Sequence, residues 1–156
     1  MNAAMTAVER LDARAEISNL VARYMRGIDD QDLALYSACL TDDVIVEHPA
    51  VGRGEGREAV LKMAGGVIAT LVTSQHLVGN LAIEIDGPQT AQAWFEIQAM
   101  HVFKSEADSG ALRPAGAWYH MRLRRVDGRW LVASAKVTPR WLEPGLTRIL
   151  AGITIG

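Results

Sequence analysis

Two hydrophobic periods divide this chain, and the division constrains its fold more than any single motif. Up to about Thr70 the apolar residues recur mainly at helical spacing. From His76 onward they fall into four strand-like runs, His76 to Ile85, Thr90 to Phe103, Gly116 to Val126 and Arg129 to Val137. Asp86-Gly87-Pro88 and Asp127-Gly128 mark two of the turns. Asp-Gly between strand runs is a strong type I′ hairpin signal. It sets Val126 opposite Arg129, Leu123 opposite Val132 and Tyr119 opposite Lys136. Helices followed by antiparallel strands predict an α+β fold with the helices packed on one face of the sheet.

In the helical part, Ile17, Leu20, Val21, Tyr24 and Ile28 form one buried stripe, so roughly the first 27 residues read as an amphipathic helix ending around Gly27. Asp29-Asp30-Gln31-Asp32 follows, and one of these aspartates is expected to cap a short second helix from Leu33 to Leu40. Thr41-Asp42-Asp43 breaks it, and Val44-Ile45-Val46 is a brief strand stopped before Pro49. Gly52-Arg53-Gly54-Glu55-Gly56 reads as a loop before a third helix from about Arg57 to Thr70. It is not a phosphate loop, because the Lys-Ser/Thr ending is missing. Lys104 to Ala115 reads as a polar loop.

With 156 residues the chain is expected to be a single domain spanning 1–156, large enough to fold without disulfides or a structural metal. Sixteen Lys+Arg against eighteen Asp+Glu give a net charge of −2, which argues against a nucleic-acid binder. The single cysteine, Cys39, excludes a disulfide framework or multi-Cys zinc module. No export signal is read at the N-terminus, and Met63 to Val72 is far short of the roughly 20 residues of a membrane span. A cytoplasmic, non-membrane protein is expected.

In the hairpin, Tyr119, Met121 and Leu123 are read on one face with Val132, Ser134 and Lys136. Trp118, His120 and Arg122 share the other with Leu131, Ala133, Ala135 and Val137. Both faces are partly apolar, so the outer one is expected to be covered by another subunit in a homodimer or homotrimer. The apolar tail 141–156, with Leu142, Leu146, Ile149, Leu150 and Ile153, is expected to dock on its own sheet or on a neighbour.

Chemistry-bearing residues are few. Asp29 sits at the junction of the first two helices and His76 opens a strand, so helices packed on a sheet can bring both to one cavity. A carboxylate that accepts one ring N–H fixes the tautomer and leaves the other nitrogen as a base. Each also has a structural reading, Asp29 as a helix cap and His76 as a satisfied strand-end histidine. His101 lies in an apolar setting with Phe95, Ile97, Ala99 and Phe103, where it packs or acts as a neutral ring. His48, before Pro49, and His120, on the arginine-bearing face, have weaker claims. No HxH, HExxH or Cys/His spacing and no GxSxG motif occurs, so neither a metal site nor a nucleophile of that type is expected.

The segments Gly27-Ile28-Asp29-Asp30-Gln31-Asp32, Leu40-Thr41-Asp42-Asp43-Val44, Gln75-His76-Leu77-Val78-Gly79-Asn80, Val126-Asp127-Gly128-Arg129-Trp130 and Trp141 occur in an order that resembles the SnoaL-like group of the nuclear transport factor 2-like superfamily. Within it, the nearest likeness is to the scytalone dehydratase family. The resemblance implies a cone-shaped, cystatin-like α+β barrel, with a strongly curved antiparallel sheet wrapped around helices and one deep pocket. It places Asp29 and His76 on that family's Asp-His pair and His101 on its second pocket histidine. Tyr119 replaces a pocket asparagine, Ile28 and His48 replace two tyrosines, and Ala117 replaces a serine. Tyr24, Ile28, His48, Ala117 and Tyr119 are the residues expected to meet substrate. The implied activity is a cofactor-independent lyase or isomerase acting on a small hydrophobic or cyclic molecule. Two alternatives share the fold: a non-catalytic binding or assembly domain, and the small subunit of a ring-hydroxylating dioxygenase.

Overall fold

The computed structural model describes residues 5–152; Ile153, counted above in the apolar tail, lies outside them. Helix α1 spans Ala7–Asp29 and starts on a reciprocal cap, in which the Thr6 hydroxyl accepts from the Glu9 amide while the Glu9 carboxylate accepts from the Thr6 amide. Its buried stripe holds Ala13, Ile17, Leu20, Val21 and Tyr24. Gly27 does not end the helix. A Cβ there would stand 2.8 Å from the Tyr36 backbone, so Gly27 lets α1 and the next helix touch, and the chain turns at Gln31, whose φ is 55°. That extension makes Asp29 the last residue of α1.

Helix α2 (Leu33–Ser37) is capped by Asp32 and is shorter than expected, because Leu40 already belongs to strand β1 (Leu40–His48). Thr41, Asp42 and Asp43, expected to end the second helix ahead of a strand at Val44, lie inside β1. They fall where the pairing of β1 with the last strand is interrupted, between Leu40 and Ile45, and Asp42 and Asp43 reach Arg57 and Arg124. The glycine segment is also not a loop. Gly52–Glu55 forms strand β2, antiparallel to β1, with Gly54 pressed against Val60 of helix α3 (Arg57–Ile68).

Strands β3 (Leu71–Gly87), β5 (Arg113–Val126) and β6 (Arg129–Leu142) run longer than their apolar runs predicted, while β4 (Thr90–Phe103) has the predicted bounds. A 3-10 turn, Lys104–Ser109, occupies part of the expected polar loop, and helix α4 spans Pro144–Ala151. The six strands lie in the order β2-β1-β6-β5-β4-β3, antiparallel except for the parallel β1–β6 pair. The curved sheet wraps the helices without closing into a barrel.

The hairpin register holds near its turn, where Val126 faces Arg129 and Leu123 faces Val132. It then slips at a bulge: Arg122 pairs with Ser134, leaving Ala133 extra, and Tyr119 faces Val137 rather than Lys136. The bulge moves Ala135 and Val137 to the inner face beside Tyr119, Met121 and Leu123, and leaves Ser134 and Lys136 off it. The inner face and the stripe of α1 bury one continuous core. A smaller cluster of Leu71, Phe103, Ala115 and Leu146 seats α4 at the open end.

Candidate active site

Asp29 projects from the C-terminal end of α1, where the helix dipole disfavours a carboxylate by roughly 0.3–1 kcal/mol. Strand β3 supplies the compensation. Residues two apart on a strand share a face, so Ser74 and His76 both meet α1. The Ser74 hydroxyl donates to Asp29 Oδ1 at 2.8 Å, the His76 amide N–H to Oδ2 at 2.8 Å, and His76 Nδ1 lies 2.6 Å from Oδ1. Hydrogen bonds to a charged group contribute roughly 1.5–3 kcal/mol each, so the three donors outweigh the dipole. Burial pushes the Asp29 carboxyl up, but the His76 bonds and charge together with Ser74 prevail and hold it below the usual carboxylate range. An ionised carboxylate only accepts, so His76 Nδ1 carries a proton, and the neutral form of the ring is bare at Nε2. The two side chains are 18% and 10% exposed, shielded enough for the pair to be strong and open enough to be reached.

His76 lines a cavity of about 140 Å³ between the inner face of the sheet and helices α1, α3 and α4. Tyr24, Ile28, His48, His101, Ala117 and Tyr119 line the same space, while Asp29 stands behind His76. His101, paired with Ser74 and Arg113 on the neighbouring strands, meets the His76 ring edge-on at 5.6 Å. Burial lowers its pKa, and its Nδ1 lies 3.0 Å from the Arg113 carbonyl oxygen. His48 sits at the end of β1; burial, then His101 and His76, lower its pKa to about 4. Tyr119 stacks on Phe95 at 5.0 Å and is held protonated by burial and the nearby Tyr24 and Asp29. Tyr24 accepts from the Tyr36 hydroxyl at 2.9 Å. No Lys, Arg, Asp or Glu is among the described residues lining the cavity.

His120 stands apart, stacked on Trp94 at 5.0 Å on the outer face and bonded to Gln92. Trp94 and Trp118 are exposed there and leave the cavity unplugged. Among the described residues no group of three or more His, Cys, Asp or Glu is disposed to hold a metal ion, and no helix is long and apolar enough to cross a membrane. Sequence reasoning missed Ser74, although its position two before His76 signals the shared face. It also missed the aliphatic wall of Met63, Val67, Ile68, Leu146 and Leu150.

A family model for the SnoaL-like domain matches residues 9–136. The chain belongs to the SnoaL-like domain family. This SnoaL-like domain has the nuclear transport factor 2-like fold, as its similarity to solved structures also shows. A hexachlorocyclohexane dehydrochlorinase of type 2 superposes with a TM-score of 0.81 at 19% identity, over 89% of this chain and 93% of the other. A scytalone dehydratase-like protein from Novosphingobium aromaticivorans gives 0.81 at 17% identity, over 88% and 91%. A cystatin-like protein of unknown function from Nostoc punctiforme gives 0.70 at 19% identity, over 91% and 96%. No curated protein matches the sequence. The family match stops at residue 136, so Pro139, Leu142, Leu146 and Leu150 form a part of the cavity wall outside it.

Proposed function

We propose that this SnoaL-like domain is a cofactor-independent lyase or isomerase that removes a proton from a small cyclic substrate. The reading rests chiefly on one observation, the 2.6 Å contact between Asp29 and His76 at the wall of an apolar cavity. Asp29 fixes the Nδ1–H tautomer and stabilises the imidazolium that forms, and His76 Nε2 takes the proton from a carbon made acidic by a neighbouring carbonyl or leaving group. His48 and Tyr119 line the same cavity and carry the N–H and O–H that can meet the oxygen on which negative charge develops. Removing the proton from carbon serves elimination of water or halide, double-bond migration and aldol cyclisation alike. Two of the similar structures carry the names of a dehydrochlorinase and a scytalone dehydratase-like protein, which supports elimination among these.

The test is a panel of cyclic ketones and of phenolic and halogenated ring compounds, assayed for hydrogen exchange and elimination with the wild type, Asp29→Asn and His76→Ala. Turnover by the wild type and a loss of roughly 10²–10⁴-fold in His76→Ala is the expected result. Turnover that neither substitution affects would remove the pair from the mechanism. A protein that binds ring compounds and transforms none of them would be a binding domain instead.

A further inference from the structure

Main-chain atoms set opposite hydrogen-bond polarities at two of the three cavity histidines, and the Asp29 side chain sets the third. The Ala50 amide N–H donates to His48 Nδ1 at 3.3 Å. A nitrogen that accepts carries no proton, so neutral His48 is protonated on Nε2. At His101 the relation reverses: a carbonyl oxygen only accepts, so Nδ1, 3.0 Å from the Arg113 carbonyl, carries the proton and Nε2 is bare. The neutral His76 ring, the form that acts as base, is likewise bare at Nε2, because its Nδ1–H is committed to Asp29. Of the three rings, only His48 has an N–H left for a bound molecule. Burial keeps it neutral down to about pH 4, so it donates without bringing a charge into the cavity.

Size and charge restrict what it can hold. The cavity of about 140 Å³ is close to the roughly 150 Å³ that accommodates a benzene ring in another protein's core. With no charged side chain among its described lining, nothing there compensates a carboxylate or ammonium on the ligand.

Building on the base assigned to His76 above, we propose that His48 is a catalytic residue whose Nε2–H holds the carbonyl oxygen of a neutral, single-ring ketone or enone. The C–H bond next to the carbonyl breaks, its proton passes to His76 Nε2, its electron pair forms the carbon–carbon double bond of an enolate, and the carbonyl π pair moves onto the oxygen bound by His48. Return of that proton to a different carbon completes an isomerisation, and departure of a leaving group on the β-carbon completes an elimination. The bare Nε2 of His101 repels a carbonyl oxygen, which orients the ring toward His48.

Two measurements test this. Long-range proton–nitrogen NMR of the histidine rings is recorded in His76→Ala, which lacks the base, before and after adding cyclohex-2-enone. The expected result is His48 in the Nε2–H form with its resonance moved by cyclohex-2-enone and not by benzoate, a ring of similar size bearing a carboxylate. An Nδ1–H form of His48, or no response to the enone, overturns the proposal whatever the fate of the base. In the otherwise wild-type protein, His48→Phe should lower enone hydrogen exchange by roughly 10²–10³-fold in kcat with KM little changed, and His48→Gln, which keeps an N–H, should recover part of it. Exchange that survives His48→Phe but is lost in Tyr119→Phe gives the role to Tyr119 and overturns the proposal.

Discussion

The Asp29 carboxylate, behind His76, accepts three hydrogen bonds, and their donors come from two residues of one strand. Loss of the Ser74 hydroxyl removes one of them. Ser74→Ala should therefore raise the Asp29 pKa and move the acid limb of the pH–rate profile upward, with a few-fold loss of rate at neutral pH. Stability against pH separates Asp29 from His48. The Asp29 carboxyl is depressed below its ordinary 3.8, so its contribution is present above that pH and lost as the pH falls through the folded value. His48 has a folded pKa of about 4 against an ordinary 6.5; the unfolded chain takes up its proton first, and stability falls as the pH drops from 6.5 to 4. Urea unfolding at pH 3 to 7 should show a shallower decline between pH 6.5 and 4 in His48→Gln than in the wild type. His101, also depressed by burial, supplies part of what remains. The gap between Asp29→Asn and the wild type should stay level over that interval and close in stronger acid.

At the scale of elements, α1 aims Asp29 and α4 closes the far wall of the cavity. Gly27 is where α1 and α2 touch, two residues before Asp29. Gly27→Ala should cost roughly 1–3 kcal/mol by overpacking and lower kcat by displacing the end of α1, as thermal unfolding and an exchange assay would show. Leu146 of α4, 1% exposed, packs on Leu71, Phe103 and Ala115. Leu146→Ala should cost roughly 2–5 kcal/mol and, by enlarging the cavity, shift preference toward bulkier rings. These elements were unequally legible in the sequence. The period-2 runs and the Asp127-Gly128 turn disclosed the strands because alternation and turn chemistry are local. The bulge at Ala133 was hidden, because nothing in the residues themselves says where a curving sheet must absorb an extra one. Strand β2 was misread for a related reason: pairing with β1, not local propensity, decides it, and the β1 aspartates lie in an interruption of the β1–β6 pairing between Leu40 and Ile45. The Asp29–His76 contact was anticipated from residue types and resemblance. Ser74, the Ala50 amide and the Arg113 carbonyl emerged only from the folded backbone.

For the whole molecule, the sheet buries one face and leaves aromatic and aliphatic side chains on the other. Leu77, Met100, Trp118 and Trp141 are 59%, 42%, 44% and 48% exposed. Monomeric proteins rarely leave extended apolar patches open, so we propose a homodimer or homotrimer built on this face. Sedimentation should show more than one copy per particle, and Trp118→Glu should shift the population toward monomer; a clean wild-type monomer would contradict the argument. The account as a whole stands on the Asp29–His76 base. Its most direct test is deuterium incorporation at the saturated ring carbon beside the carbonyl of cyclohex-2-enone, followed by NMR in D₂O at neutral pD. The account predicts rapid incorporation by the wild type and a rate near the uncatalysed one in His76→Ala; equal rates in the two proteins would contradict it.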